Sequence, residues 1–297
     1  MSSISNTGNL TAVEKRGHTL LIFRRILAYI VLIFVCIMAL FPFVVAIVNT
    51  SRSSAQIMTE FSLLPGASFI TNLKNVIGDS TLPIITGMLN SLIVAACSCV
   101  LSVYVSALTA YGIYAYDFKL KKVANTFIMV ILMVPLQVSA LGYVDLMSNW
   151  GFTNNNALPA LIFQSIAAPG VFFFMRQYME SALPLEIVEA GRIDGGHEFF
   201  IFNRVVLPIL KPAIAVQAIF SFVASWNNYF LPNLLTNANA KTATLPLIVA
   251  AMQKMDRLID YGKIYMVLGM AIIPLIVVYL CLSKYIIRGI ALGSVKG

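Results

Sequence analysis

Six stretches of roughly twenty or more residues each run with almost no charge between Ile26 and the C-terminal end, and they restrict the fold more than anything else in the chain. They are 26–48, 84–114, 123–145, 157–177, 212–233 and 264–287. About 20 apolar residues in a helix cross the hydrocarbon of a bilayer. Inside lipid a helix satisfies each backbone N–H and C=O within its own segment. The sequence therefore predicts an all-α polytopic membrane protein with about six transmembrane helices. Charged residues make up only 11% of the chain, against about 25% in soluble domains. That excludes a soluble fold, and the apolar runs leave no room for a separate soluble domain.

Lys and Arg set the expected topology. The N-terminus, the 116–122 link, the stretch from Arg176 to Lys211 and the C-terminal end hold 14 of the 20 basic residues. By the positive-inside rule these parts, and so both termini, are expected on the cytoplasmic side. The domain reading is a cytoplasmic segment 1–25, a transmembrane domain 26–287 and a cytoplasmic tail 288–297. The first run follows Lys15, Arg16, Arg24 and Arg25 as a signal peptide would, but it is long enough to span, and it is read as a retained helix. The net charge of +8 fits topology and contact with anionic membrane lipid better than nucleic acid. Cys36, Cys97, Cys99 and Cys281 lie in apolar segments without His companions, so no metal or redox role is assigned.

Residues 178–211 are far more than a connection between two spans needs. This segment carries Glu180, Glu186, Glu189, Asp194 and Glu198, five of the twelve acids in the chain. Pro184 reads as a helix start, with acids favoured in the first turn. Gly195-Gly196 reads as a turn. Phe199 to Val206 reads as a second helix that Leu207-Pro208 ends before Pro212 opens the fifth span. Two short helices around a glycine turn would form a docking element on the cytoplasmic face.

Glu189-Ala190-Gly191, three residues, Gly195, nine residues and then Val205-Val206-Leu207-Pro208 resembles the EAA motif of binding-protein-dependent ABC importers. That motif reads E-A-A, three residues, G, nine residues, I-x-L-P. Gly191 and Val205 depart from it while keeping small or apolar character, and Asp194 matches a common form of it. Asn90-Ser91-Leu92-Ile93-Val94-Ala95, Ser225-Trp226-Asn227-Asn228-Tyr229-Phe230-Leu231-Pro232, Thr244-Leu245-Pro246-Leu247 with Gln253, and the ending Gly289 to Gly297 resemble the carbohydrate-uptake branch. The resemblance covers nearly the whole chain from the first span onward. It implies the type I ABC importer permease fold and the smaller, six-helix member of a permease pair, working in a bacterial cytoplasmic (inner) membrane.

The resemblance further implies a homologous second permease subunit, two ATPase subunits, an extracytoplasmic solute-binding protein and a carbohydrate substrate. Glu189, Ala190, Gly191, Asp194, Gly195, Leu207 and Pro208 would couple to the ATPases, with Glu189 in the ATPase cleft. The outer loop 234–262 would meet the binding protein through Gln253, Lys254, Met255 and Asp256. From the residues themselves, the chain lacks the G-x-x-x-x-G-K-[ST] run of a P-loop protein, so ATP and Mg would be used by the partner ATPases and the chain is expected to be neither an enzyme nor a cofactor binder. Small residues at 190, 191 and 195 let another surface approach closely.

Gln137, Gln164 and Gln217 fall within the third, fourth and fifth apolar runs. They suit either a sugar path, since hydroxyl-rich ligands need amide partners, or hydrogen bonds between helices. Trp150 and Trp226 suit interfacial belts. A permease for another solute class, such as glycerol phosphate or amino acids, is the rival reading. A secondary transporter would place charges inside its spans, and these runs hold almost none.

Overall fold

The computed structural model describes residues 12–293 apart from Ser80, 237–238 and 255–258, and describes side chains from Leu21 to Ile286 apart from the same positions. Met255 and Asp256, half of the expected binding-protein contact, lie outside the described residues, as do 1–11 and 294–297 of the two expected terminal segments.

The elements in chain order are α1 (Ala12–Asn49), α2 (Ser54–Thr59), α3 (Phe69–Ile77), α4 (Ile84–Ala115), α5 (Lys121–Ile131), α6 (Leu136–Asn149), α7 (Ala157–Phe163) and α8 (Pro169–Ala182). Then follow α9 (Leu185–Ile193), α10 (Glu198–Ile201), α11 (Leu207–Ile209), α12 (Lys211–Trp226), α13 (Phe230–Thr236), α14 (Leu245–Gln253) and α15 (Tyr261–Gly293). By length and composition four helices are fit to cross a membrane, or six if each of two bent pairs counts as one span.

Helix α4 is the central post, and α12 and α8 pack most extensively against it. Its buried face reads Ala95, Ser98, Ser102, Ser106, Ala110, a spacing of three or four that keeps these small residues on one side of the helix. Without a hydrophobic force between helices in lipid, close backbone approach through small residues is what lets spans pack. The approach is close enough for the Cys99 thiol to donate to the Ala218 carbonyl at 3.3 Å. By contrast, α1 exposes its large apolar side chains from Leu21 to Val44, as a lipid-facing helix does.

The second predicted run, 84–114, coincides with α4. Two other runs, 123–145 and 212–233, are broken where a continuous span was expected, whereas 157–177 lies within one span, Asn154–Ala182, that carries an interruption. The 123–145 run divides into α5 and α6, bent by 101° at Leu132–Pro135. Pro135 has no N–H to continue the ladder, and α6 starts after it. The 157–177 run passes through a 3-10 turn at Gln164–Ile166 and restarts at Pro169, because a proline drives the residue before it out of the helical region. The 212–233 run stops at Trp226; Asn228 Oδ1 accepts the Leu231 N–H at 3.3 Å and so caps α13.

Leu207-Pro208 is also corrected. It does not end the second short helix but lies inside it, as α11, and the chain turns by 83° between Glu198–Ile209 and α12. Phe202–Val206 forms a π turn just before it. Pro208 cannot donate to the Arg204 carbonyl one turn back, and widening the preceding turn absorbs that missing bond.

Candidate functional site

Helix α9 starts after Pro184, as expected, with Glu186 in its first turn. It ends in a Schellman turn. The Gly196 N–H donates to the Gly191 carbonyl and the Gly195 N–H to the Arg192 carbonyl, both at 3.0 Å. Gly195 takes φ +80°, the left-handed conformation that closes this motif. Gly196 is needed for a different reason, since a Cβ there would sit 2.9 Å from the Gly191 carbonyl oxygen. His197 caps α10, its Nδ1 accepting the Phe200 N–H at 3.2 Å.

Two contacts fix this helix pair to the end of α4 nearer Ala115. Phe202 is fully buried, its ring 5.4 Å from Tyr111 and 5.7 Å from Tyr104. Glu198 pairs with Arg192 at 2.6 Å and accepts the Tyr111 hydroxyl at 2.8 Å. The Arg192 guanidinium also lies 5.2 Å from the Tyr116 ring centre. Its hydrogen bond holds the Glu198 carboxyl at about 2, well below the usual carboxylate range. On the outward side of the pair Glu189, Ala190, Asp194 and Gly195 are all exposed, and Ile193 beside them is 86% exposed.

A second feature opens between α4 and the helix breaks. A cleft of about 630 Å³ is lined by Ser98 and Ser102 of α4, by Gln164, Ser165 and Ala168 from the break before α8, and by Asn227, Asn228 and Tyr229 from the break after α12. Leu136, the first residue of α6, completes the same wall. The interruption at Gln164–Ala168 and the break at Asn227–Tyr229 thus bring their backbone to one place, beside the first turn of α6. At membrane depth such backbone is tolerated where it lines a cavity or is buried in protein.

At the far end of α4, Asn90 and Ser91 hold the chain that leads into α14. The Asn90 amide donates to the carbonyls of Lys241 (2.9 Å) and Ala243 (3.0 Å), and the Ser91 hydroxyl accepts the Leu245 N–H (2.8 Å). Two motifs noticed separately in the sequence are therefore one contact.

Residues 102–292 match the family of binding-protein-dependent transport system inner membrane components. The chain belongs to this family. The permease of an arabinooligosaccharide transport system from Halalkalibacterium halodurans is 31% identical over 89% of this chain and 94% of its own length. The permease of an sn-glycerol-3-phosphate transport system from Salmonella typhi is 30% identical over 93% and 97%. In fold, the chain matches one from the crystal structure of a bacterial ABC transporter involved in the import of the acidic polysaccharide alginate. The TM-score is 0.75 at 22% identity, covering 94% of this chain and 99% of that one. The fold is that of an ABC importer permease.

In this inner membrane component the expected site residues fall into three groups. Glu189, Ala190, Gly191, Asp194 and Gly195 are brought together at the α9 turn, whereas Leu207 is half-buried and Pro208 stands in α11 beyond the π turn. Gln253 and Lys254 are exposed at the end of α14. Of the three glutamines only Gln164 lines the cleft; Gln137 is exposed near the α6 start and Gln217 sits half-buried on α12. Trp226 is not an interfacial residue, being buried and stacked on Phe222 at 5.9 Å. Sequence reasoning missed Arg192, Glu198, Phe202 and Tyr111, whose partnership spans 87 residues between Tyr111 and Glu198.

Proposed function

We propose that this permease subunit carries a sugar or oligosaccharide across the bacterial cytoplasmic membrane, driven by two separate ATPase subunits that use ATP and Mg. A second, homologous permease would complete the pathway, and an extracytoplasmic binding protein would deliver the solute. The observation that carries the reading is the exposed α9 turn, with its small residues and Glu189 facing outward while Phe202 and the Arg192–Glu198–Tyr111 contacts tie it to α4. Motion imposed on that turn passes to the post on which α8 and α12 pack. The arabinooligosaccharide relative supports the sugar. The glycerol-3-phosphate relative is what keeps a phosphate ester as the second reading.

In this proposal 178–211 faces the cytoplasm, as the basic residues suggest. A single cysteine at the exposed Ser181, in a chain otherwise free of cysteine, is expected to react with an impermeant thiol reagent only after the cells are opened. Labelling from outside intact cells would reverse the topology.

The α14 end and the loop beyond it are proposed to touch the binding protein. Replacing Gln253–Asp256 with Gly and Ser should leave the reconstituted complex assembled and lower the stimulation of its ATP hydrolysis by loaded binding protein. Unchanged stimulation would make the loop a plain connector. ATP-driven uptake of labelled oligosaccharide by the same proteoliposomes tests the function itself, and its absence with the whole complex present would refute an oligosaccharide importer.

A further inference from the structure

We infer that the outward face of α5 holds an anionic phospholipid of the cytoplasmic leaflet, its headgroup at Lys119 and Lys122 and an acyl chain along the helix; the choice of leaflet rests on the topology proposed above. A shallow groove of about 410 Å³ runs along this helix, lined by Lys122, Val123, Thr126, Phe127 and Val130. Steps of one and three residues keep these side chains on a single face. Val123, Phe127 and Val130 are each more than half exposed. The other side of α5 is occupied by its own subunit. Ala124 and Ile128 pack on the core that contains Phe202, and Asn125 accepts a hydrogen bond from Arg176 of α8.

The length of α5 places the groove in one leaflet. The helix has 11 residues, about 16 Å at 1.5 Å per residue, close to half of a hydrocarbon core about 30 Å thick. It starts at the 116–122 link and stops at the 101° bend before α6. The face from Lys122 to Val130 therefore borders the lipid tails next to that link and does not reach the opposite headgroups.

Charge decides which lipid fits. The link holds Lys119, Lys121 and Lys122 against one acid, Asp117. Lys121 donates to the Tyr116 carbonyl at 2.8 Å. Lys119 and Lys122 are exposed and make no ion pair among the described residues. The first turn of α5 contains no acid. A cationic end on an apolar groove complements a molecule with an anionic end and a hydrocarbon tail, and the cytoplasmic leaflet is the one rich in such lipids. A zwitterionic lipid would fill the same groove but bring its own ammonium to the lysines. An apolar helix of another protein would leave both lysines without a counter-charge.

The test uses the full complex in proteoliposomes made of equal parts phosphatidylcholine and phosphatidylglycerol, with a trace of one or the other carrying a photoreactive diazirine in its tail. Labelled peptides from α5 are quantified relative to the exposed stretches 33–38 of α1 and 276–280 of α15. On that scale the phosphatidylglycerol probe is expected to label α5 about five- to thirtyfold more than the phosphatidylcholine probe. Lys119→Gln combined with Lys122→Gln should bring the ratio close to one and leave phosphatidylcholine labelling of α5 in place, whereas Arg at both positions should keep the preference. Equal labelling by the two probes in the unaltered complex, or a preference that survives the Gln pair, overturns the inference. So does labelling of α1 and α15 without α5, the mark of a protein covering the groove. Both leaflets of these vesicles have the same composition, so the probe ratio judges the site whichever way it faces. Labelling of Ser181→Cys from outside intact cells would overturn the leaflet together with the topology, and would leave the probe ratio as it stands.

Discussion

Gly195→Asp and Glu189→Ala are each expected to abolish or sharply reduce ATP-driven uptake while the chain still inserts and pairs with its permease partner. At Gly195 two effects have to be separated. The backbone sits at φ +80°, which costs an ordinary L-residue about 1–2 kcal/mol, but a Cβ there would meet nothing within 4 Å among the described residues. Asp tolerates the left-handed region better than most residues, so its main effect is to add bulk and charge on the exposed face. Gly195→Ala adds strain with little bulk. If the turn is where the ATPase seats, Asp should be clearly worse than Ala; if only the turn geometry matters, the order reverses. Glu189 is exposed and makes no ion pair among the described residues, so its truncation leaves the subunit's own packing untouched. A charge-assisted contact to an ATPase cation is worth about 1.5–3 kcal/mol, or about ten- to a hundredfold in an equilibrium. Both variants are to be purified with their ATPases, the subunits counted, and uptake measured. Full uptake in both would remove the coupling role from this turn.

The second large effect is expected at Phe202, and it exceeds that of the more conspicuous ion pair beside it. Removing a fully buried phenylalanine side chain costs about 3–5 kcal/mol, and Phe202 is the apolar pin between the helix pair and α4. The Arg192–Glu198 pair has side chains 35% and 38% exposed, and pairs open to solvent contribute about 1 kcal/mol or less. Phe202→Ala should therefore uncouple the complex, with ATP hydrolysed and little solute carried, and should lower its melting temperature. Phe202→Leu should keep most of both properties. Glu198→Gln should cost only a few-fold in uptake. A Glu198 variant more damaging than Phe202→Ala would show that orientation by charge outweighs the buried pin.

The ion pair also has a defined pH window. Because the folded-state value of Glu198 is depressed, from 4.5 to about 2, its contribution is complete above the unfolded value and is lost as pH falls through the folded one. Solute carried per ATP should thus be insensitive to this group between about pH 6 and 8. A coupling loss in that interval that Glu198→Gln removes would contradict the assignment.

How legible all this was depends on whether a feature is local. The bounds of α4, the start after Pro184 and the turn at Gly195 follow from residues that act on their own neighbourhood: a long uncharged run, a proline with preset φ, a glycine free to take positive φ. The spacing from Glu189 to Pro208 is local too, and it pointed to the family before any geometry was known. The breaks at Leu132–Pro135, Gln164–Ala168 and Asn227–Tyr229 were not read, because a broken span has the same mean hydropathy as a continuous one. Pro135 and Pro169 were visible, yet a proline inside an apolar run can kink a helix or end it, and the neighbours decide which.

What the sequence determined by itself is the solvent this chain lives in, its helical class, and the segment that carries the motif of its family, since each is written in composition or in short spacing. Only the tertiary structure decided that the interruptions at Gln164–Ala168 and Asn227–Tyr229 line one cleft with Ser98, that Asn90 and Ser91 hold the chain leading into α14, and that Glu198 answers to Tyr111. The hydrogen bonds among these contacts join residues 87 to 154 positions apart, where no periodicity reaches, and they exist because small residues on α4 let the other spans come close enough to touch.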